Sequence, residues 1–485
     1  MLPATVGFAD GLSAQALASR DAENKRLTQD MLRQPNELAQ PPTARYNHVI
    51  TYGQSLASSA EGWPALSVTQ DYDNLMLGDS TRSGATSGGA FIPVGGGAFK
   101  PLKAVVQKHL EGQVLLEQRQ VARLGRQDQA EGEAVEVGAL NMARSLYLRN
   151  LQKDADPAHL FVASNAATSG RSVSQLLKGG DYDEYKRVIG AVNQASALAD
   201  ASNDSYAISA FFWLQGEYDY SHSNGGMNDR QRYKKLMRQL RKDLNQDTAI
   251  AVAGQTLMPA FITYQTDAKH SRKDGTLAVG MAQWELAREE PNWFLAGPVY
   301  QYVDKGGHLS ANGYRWFGQM LGKVFHRVVV ERRQWQPLAP RRATVSGRYV
   351  YIDFHVPHPP LAFEQAYIGH EARDIENQGF KLYQDEVEIP IAAVEIVADT
   401  VVLITTKQPL AGTPRVTYAS YQVGGAGNLR DSDPMKAEAR YRFFSDGSMR
   451  PEENIETLVD KPYPLQNWSI AFEIEAVSEP AEGEG

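Results

Sequence analysis

From Tyr46 onward, short apolar runs alternate with longer segments in which apolar positions recur every three or four residues. The runs His48–Tyr52, Leu160–Ser164, Ile208–Leu214, Ile250–Ala253 and Trp293–Ala296 are short and largely apolar, which predicts strands buried on both faces. Between them, Leu140–Gln152, Tyr182–Ala199, Asp229–Asn245 and Ala278–Glu289 carry helical spacing. Strands separated by helices of this length make βαβ units, so an α/β fold with a parallel sheet covered on both faces is expected. The clearest helix follows His308: Tyr314, Phe317, Leu321, Val324 and Val328 form one stripe, and Ser310 is placed to cap its start.

The pattern changes twice. Before Tyr46 a polar, helix-prone stretch from Gln15 to Arg33 is broken by Pro35, Pro41 and Pro42. Beyond Gln334, the runs Tyr349–Phe354, Val387–Pro390, Val394–Val397, Val401–Thr405 and Val416–Tyr418 are short, β-branched and separated by turns. No helical pattern interrupts them, which predicts a small all-β, sandwich-like region. The expected organisation is therefore an N-terminal extension (1–44), an α/β catalytic domain (45–335) and a β-rich accessory domain (336–485), ending in a frayed acidic tail.

Composition narrows the chemistry. The chain has 485 residues, 42% hydrophobic and 22% charged, and a net charge of -8 without long blocks of one sign. Nucleic-acid binders carry a clustered basic footprint, so no nucleic-acid partner is expected. The basic stretch Arg230–Lys242 has apolar residues at helical spacing and reads as the solvated face of a helix. With no cysteine in the chain, thiolate nucleophiles, disulfides and iron–sulfur clusters are excluded. The N-terminus lacks a basic start followed by an apolar run, so no cleavable secretory signal is expected. The apolar stretches are too short to span a bilayer, and membrane insertion is not expected. The chain is expected to be soluble, and cytoplasmic, phage-associated or exported by a non-standard route.

In open α/β sheets, ligands sit at the C-terminal ends of the strands. Those ends deliver Gly53-Gln54-Ser55, the Ala167–Ser172 segment with Gly170 and Arg171, Gln215-Gly-Glu217-Tyr-Asp219, and Asp304-Lys-Gly-Gly-His308. A serine hydroxyl needs a base to take its proton, and the base needs a third group to orient it. Ser55, His308 and Asp304 supply such a triad. The backbone N–H groups of Ser55 and Gly170 and the Gln215 side-chain amide supply donors for an oxyanion. Gln54, Arg171, Glu217 and Asp219 are the candidate substrate-binding residues. For Arg171 a structural salt bridge is the competing role. For Glu217 and Asp219 the competing roles are holding loop backbone or forming a glycosidase carboxylate pair. His222 is the rival base. The glycine-rich segment Gly84–Gly97 lacks the ending of a phosphate loop and is expected to lie over the site. No residue cluster suggests a metal, and no metal or cofactor is expected.

Taken together, Gly53-Gln-Ser55, the Gly170 block, Trp213-Leu-Gln-Gly-Glu217 and Asp304…His308-Leu resemble the SGNH (GDSL-like) hydrolase superfamily. The GQS and WxQGExD versions are similar to its sialate O-acetylesterase-like carbohydrate esterases, with bacterial and phage-type members in view. The resemblance implies a flavodoxin-like three-layer fold, a metal-free serine mechanism through an acyl-enzyme, and an acetylated carbohydrate as substrate. Two departures stand out: Gln215 replaces the usual asparagine, and three residues rather than two separate Asp304 from His308. A lipid or thioester esterase or acyltransferase, and a non-catalytic glycan-binding protein on the same fold, are the alternative readings.

Overall fold

The computed structural model describes residues 11–125, 128–221, 225–271 and 276–479. A polar helix, α1 (Ala14–Arg33), comes first. The α/β part follows as β1 (Tyr46–Gly53), the one-turn helix α2 (Ser55–Ser58), β2 (Leu75–Leu77), β3 (Phe99–Pro101), α3 (Val135–Leu151), β4 (Leu160–Asn165) and α4 (Tyr185–Ala201). It continues with β5 (Tyr206–Leu214), α5 (Arg230–Leu244), β6 (Ala260–Gln265), α6 (Ala278–Glu289), β7 (Trp293–Pro298) and α7 (Ala311–Phe325). The seven strands form one sheet in the order β7-β6-β5-β1-β4-β2-β3, parallel except for the antiparallel edge pair β2–β3.

Successive residues of a strand face opposite sides, and here both sides are buried. Val49, Phe161, Ala163, Phe212 and Ile262 pack with residues of α3 and α7 on one face. Ile50, Tyr52, Phe211 and Phe261 pack with residues of α4, α5 and α6 on the other. Each such large apolar side chain contributes roughly 1.5–3 kcal/mol by leaving water. Glycine lets α3 and α7 approach closely, since a Cβ on Gly322 would stand 2.3 Å from the Ala139 carbonyl oxygen.

One expected strand is corrected. Residues 250–253 do not form a strand: the chain continues from α5 into the wide turn Asn245–Ile250, where Thr248 Oγ1 donates to the Leu244 carbonyl at 2.6 Å. The strand of that unit is β6, ten residues later, where aromatic and β-branched side chains meet β5 and β7.

The C-terminal strands are β8 (Ala339–Ser346), β9 (Tyr349–His355), β10 (Phe380–Gln384), β11 (Val387–Glu388), β12 (Ile391–Ala398), β13 (Val401–Thr406), β14 (Arg415–Tyr418), β15 (Lys436–Arg440), β16 (Pro462–Pro464) and β17 (Phe472–Ser478), besides short two-stranded pairings. Eight of them form a separate sheet, β11-β10-β14-β17-β8-β9-β13-β12, whose two halves share a single apolar core. Helix α1 lies on this sheet: Arg20 Nε donates to Asp353 Oδ1 at 2.6 Å and its Nη2 to Thr344 at 2.8 Å. The β15–β16 ribbon instead clasps α7, with Trp316 stacked on Tyr463 at 5.6 Å and its indole N–H donating to the Pro464 carbonyl. The helix that follows His308 is thereby held from both sides. No helix among the described residues is long and apolar enough to cross a membrane. Of the acidic tail expected to fray from Glu479, Glu479 itself is held, accepting from Arg20 Nη1 at 3.0 Å, and the residues after it lie outside the described residues.

Candidate active site

Strand β1 ends at Gly53, where φ is +148° and a Cβ would stand 2.1 Å from the Leu214 carbonyl oxygen of β5. Glycine is required there by close backbone approach. Gln54 N–H donates to that same carbonyl at 3.0 Å, and Ser55 then opens α2. At the first helical position, the Ser55 N–H has no acceptor within its own helix. Buried Glu136 braces the turn, accepting from Thr51 Oγ1 at 3.2 Å and Asn165 Nδ2 at 3.1 Å.

Ser55 and His308 meet as the sequence predicts. His308 Nε2 lies 2.9 Å from Ser55 Oγ, in a cavity of about 710 Å³ at the C-terminal end of the parallel strands. Gly170, at φ +70°, borders the same cavity, as do Gln54 and Glu217. Gln54 ties two strand ends together: its Nε2 donates to Glu217 Oε2 at 2.9 Å, and its Oε1 accepts from the N–H groups of Gly216 and Tyr218 at 3.1 and 3.2 Å. Glu217 also accepts from the Tyr264 hydroxyl.

Four expectations are corrected by where the side chains go. Asp304 does fold back, helped by Gly306 at φ +89°, but onto the Gly306 N–H at 2.6 Å and Lys269 Nζ at 3.2 Å rather than onto the imidazole. The carboxylate beside the free side of the ring is Glu61, with Oε1 3.9 Å from His308 Nδ1. Gln215 is fully buried beneath the cavity: its Nε2 donates to Asp219 and to the Arg171 carbonyl, and its Oε1 accepts from the Tyr233 hydroxyl at 3.1 Å. Its amide is committed to the scaffold and does not face an oxyanion. Asp219 is likewise buried, accepts from the Val173 N–H at 2.9 Å, and is pushed up to about 7 by burial. Arg171 makes a two-pronged salt bridge to Glu184 at 2.8 and 2.9 Å and stacks on Tyr182, so the structural role prevails. The Gly84–Gly97 segment does not border the cavity either; it is pinned against α4, where Arg187 Nε donates to the Gly88 carbonyl at 2.6 Å. His222 lies outside the described residues.

Sequence reading missed Glu61, Lys269 and the pair His109–Glu131, all on the cavity wall. Glu61 lies six residues past Ser55, in a turn where it holds φ +62°, a conformation few non-glycine residues adopt. Lys269 sits between Asp267 and Asp304. The hydrogen bond from His109 Nδ1 to Glu131, 3.2 Å long, holds that imidazole above its usual range. Lys305, next to Asp304, points away from the imidazole. It donates to the Trp63 carbonyl at 2.7 Å, lies 3.7 Å over the Trp63 ring, and is lowered to about 8 by burial. It thus anchors the loop that carries His308. Among the described residues no group of three or more His, Asp or Glu side chains could hold a metal ion.

Residues 150–327 match the family model described as "Carbohydrate esterase, sialic acid-specific acetylesterase". That span runs from the end of α3 through α7 and includes Gly170, Gln215 and His308, while Ser55 lies before it. No curated protein matches the chain by sequence. Among solved structures, a carbohydrate acetylesterase from Xanthomonas citri is similar at 15% identity, over 79% of this chain and 77% of that one, with a TM-score of 0.49. A protein from Arabidopsis thaliana is similar at 15% identity over 57% of this chain and 97% of that one, TM-score 0.36. A carbohydrate acetylesterase family member from Sinorhizobium meliloti is similar at 13% identity over 57% and 96%, TM-score 0.27. Over residues 150–327 the chain is thus similar to the sialic acid-specific acetylesterases among carbohydrate esterases, and it is a carboxylic ester hydrolase.

Proposed function

We propose that the protein removes O-acetyl groups from a carbohydrate through an acyl-enzyme on Ser55. The observation that carries this reading is the 2.9 Å contact between His308 Nε2 and Ser55 Oγ inside the cavity. His308 takes the hydroxyl proton as Ser55 Oγ attacks the acetyl carbonyl carbon. The negative charge that develops on the carbonyl oxygen is met by the N–H groups of Ser55 and Gly170. The tetrahedral intermediate collapses as His308 returns the proton to the sugar oxygen, which leaves as an alcohol. Water, deprotonated by the same imidazole, then releases acetate and frees Ser55.

Glu61, not Asp304, orients His308 in this scheme and stabilises the imidazolium that forms, because its carboxylate stands on the Nδ1 side. Charged and polar side chains on the cavity wall, among them Glu61, Glu131, Glu217 and Lys269, offer partners for the hydroxyls of a sugar. Hydrolysis of p-nitrophenyl acetate and p-nitrophenyl octanoate, with and without a serine-directed inhibitor, tests the reading. Acetate ester turnover that the inhibitor abolishes, and little octanoate turnover, is the expected result. Inhibitor-insensitive turnover rejects it.

A further inference from the structure

We propose that the cavity around Ser55 selects an acetylated sugar without a carboxylate, neutral or amine-bearing, over an anionic sugar. The inference rests on the esterase reading and names its substrate class. Among the described residues, six carboxylates border the cavity: Glu61, Asp128, Glu131, Glu217, Asp267 and Asp304. Lys269 is the one lysine or arginine among the described lining residues. Its ammonium is held between Asp267 at 2.9 Å and Asp304 at 3.2 Å, so two wall carboxylates already absorb its charge. Behind the wall, Arg82 Nε stands 3.8 Å from Glu131. Setting Lys269, Arg82 and the Glu131-paired His109 against the six carboxylates leaves three uncompensated. The charged residues of the adjoining sequence outside the described residues, Arg126, Arg272, Lys273 and Asp274, do not reverse the sign even at full value. Arg171, the other cation next to Gly170, is committed to Glu184.

A concave wall of one sign focuses its field, attracting ligands of opposite charge and repelling those of like charge. Ionised carboxylates are acceptors only, which suits the hydroxyl and ammonium donors of a neutral or amino sugar. The carboxylate of a sialic acid or uronic acid is the group this wall opposes. The site therefore departs from the specificity in the family's description.

The test uses the full chain and two ligands that differ in one charge: an O-acetylated methyl glucuronoside and its uronamide. Each competes with p-nitrophenyl acetate, and the ratio of inhibition constants is read at low and high salt. The uronamide is expected to bind about tenfold tighter or more at low ionic strength. The ratio should shrink at about 1 M salt, where the screening length is about 3 Å. Glu131→Gln should narrow the low-salt ratio. Equal inhibition, tighter binding of the uronate, or no inhibition by either sugar overturns the proposal. Esterase activity that survives Ser55→Ala would instead overturn the catalytic reading, and the two failures are read in different measurements.

Discussion

Glu61→Gln separates the two candidate partners of the catalytic imidazole. The substitution preserves shape and removes charge. Opposite unit charges about 4 Å apart attract by about 4 kcal/mol at an effective dielectric constant of about 20. Glu61 Oε1 and His308 Nδ1 stand 3.9 Å apart, and the two side chains are 25% and 31% exposed. Solvent screening at that exposure leaves about 2 kcal/mol. The imidazolium exists only once the Ser55 proton has moved, so the loss falls on the transition state. A loss of about 2 kcal/mol lowers kcat about 30-fold, with KM changed by about twofold or less. Asp304→Asn should cost about threefold or less by the same logic, since Asp304 touches Lys269 and the Gly306 N–H rather than the ring. Steady-state hydrolysis of p-nitrophenyl acetate, with thermal unfolding of each variant as a folding control, reads both numbers. Near wild-type kcat in Glu61→Gln, or a larger loss in Asp304→Asn, refutes the assignment.

Two further outcomes are expected away from the nucleophile. Burial raises the Asp219 carboxyl from 3.8 to about 7, so the folded state keeps a proton that the unfolded state has lost between those values. The stability from this proton is full below about pH 4 and lost as pH rises through about 7. Asp219→Asn lacks it, so urea midpoints should show the wild type losing on the order of 4 kcal/mol relative to the variant from pH 4 to 8; parallel curves reject this. Arg20→Met removes the guanidinium that contacts Asp353 at 2.6 Å on the β sheet. It should lower stability by about 3 kcal/mol while p-nitrophenyl acetate activity at room temperature stays near wild type, and activity lost without a fall in melting temperature would contradict that.

The parallel sheet was legible because β1, β4, β5 and β7 are short apolar runs between turns, and because helices such as Ala278–Glu289 carry unbroken periodicity. The run at 250–253 failed for a local reason: four apolar residues fit either a strand or a helical end, and the Thr248 hydroxyl bond to Leu244 decides for the latter. Ser55 and His308 were legible as polar residues at strand ends with recognisable neighbours. Their partner was not. Proximity in sequence favoured Asp304, but whether a loop carboxylate meets a ring or a backbone amide depends on dihedral angles that spacing does not encode. Glu61 reaches the ring from a turn with positive φ, and nothing in Ala60-Glu-Gly62 announces that conformation. Gln215 was misjudged because a strand-end position does not say whether a side chain faces the cavity or the protein interior. The docking of α1 on the C-terminal sheet and of the β15–β16 ribbon on α7 are contacts between distant segments, which local patterning cannot show.

The most direct measurement is mass spectrometry of the protein after a serine-directed organophosphate, combined with the kinetics of Ser55→Ala. One label on the peptide containing Ser55, together with loss of acetyl-ester hydrolysis by at least about 10³-fold in a folded Ser55→Ala variant, is the expected result. Labelling of a different residue, or about a tenth of wild-type activity surviving in Ser55→Ala, would contradict the assignment of Ser55 as the nucleophile.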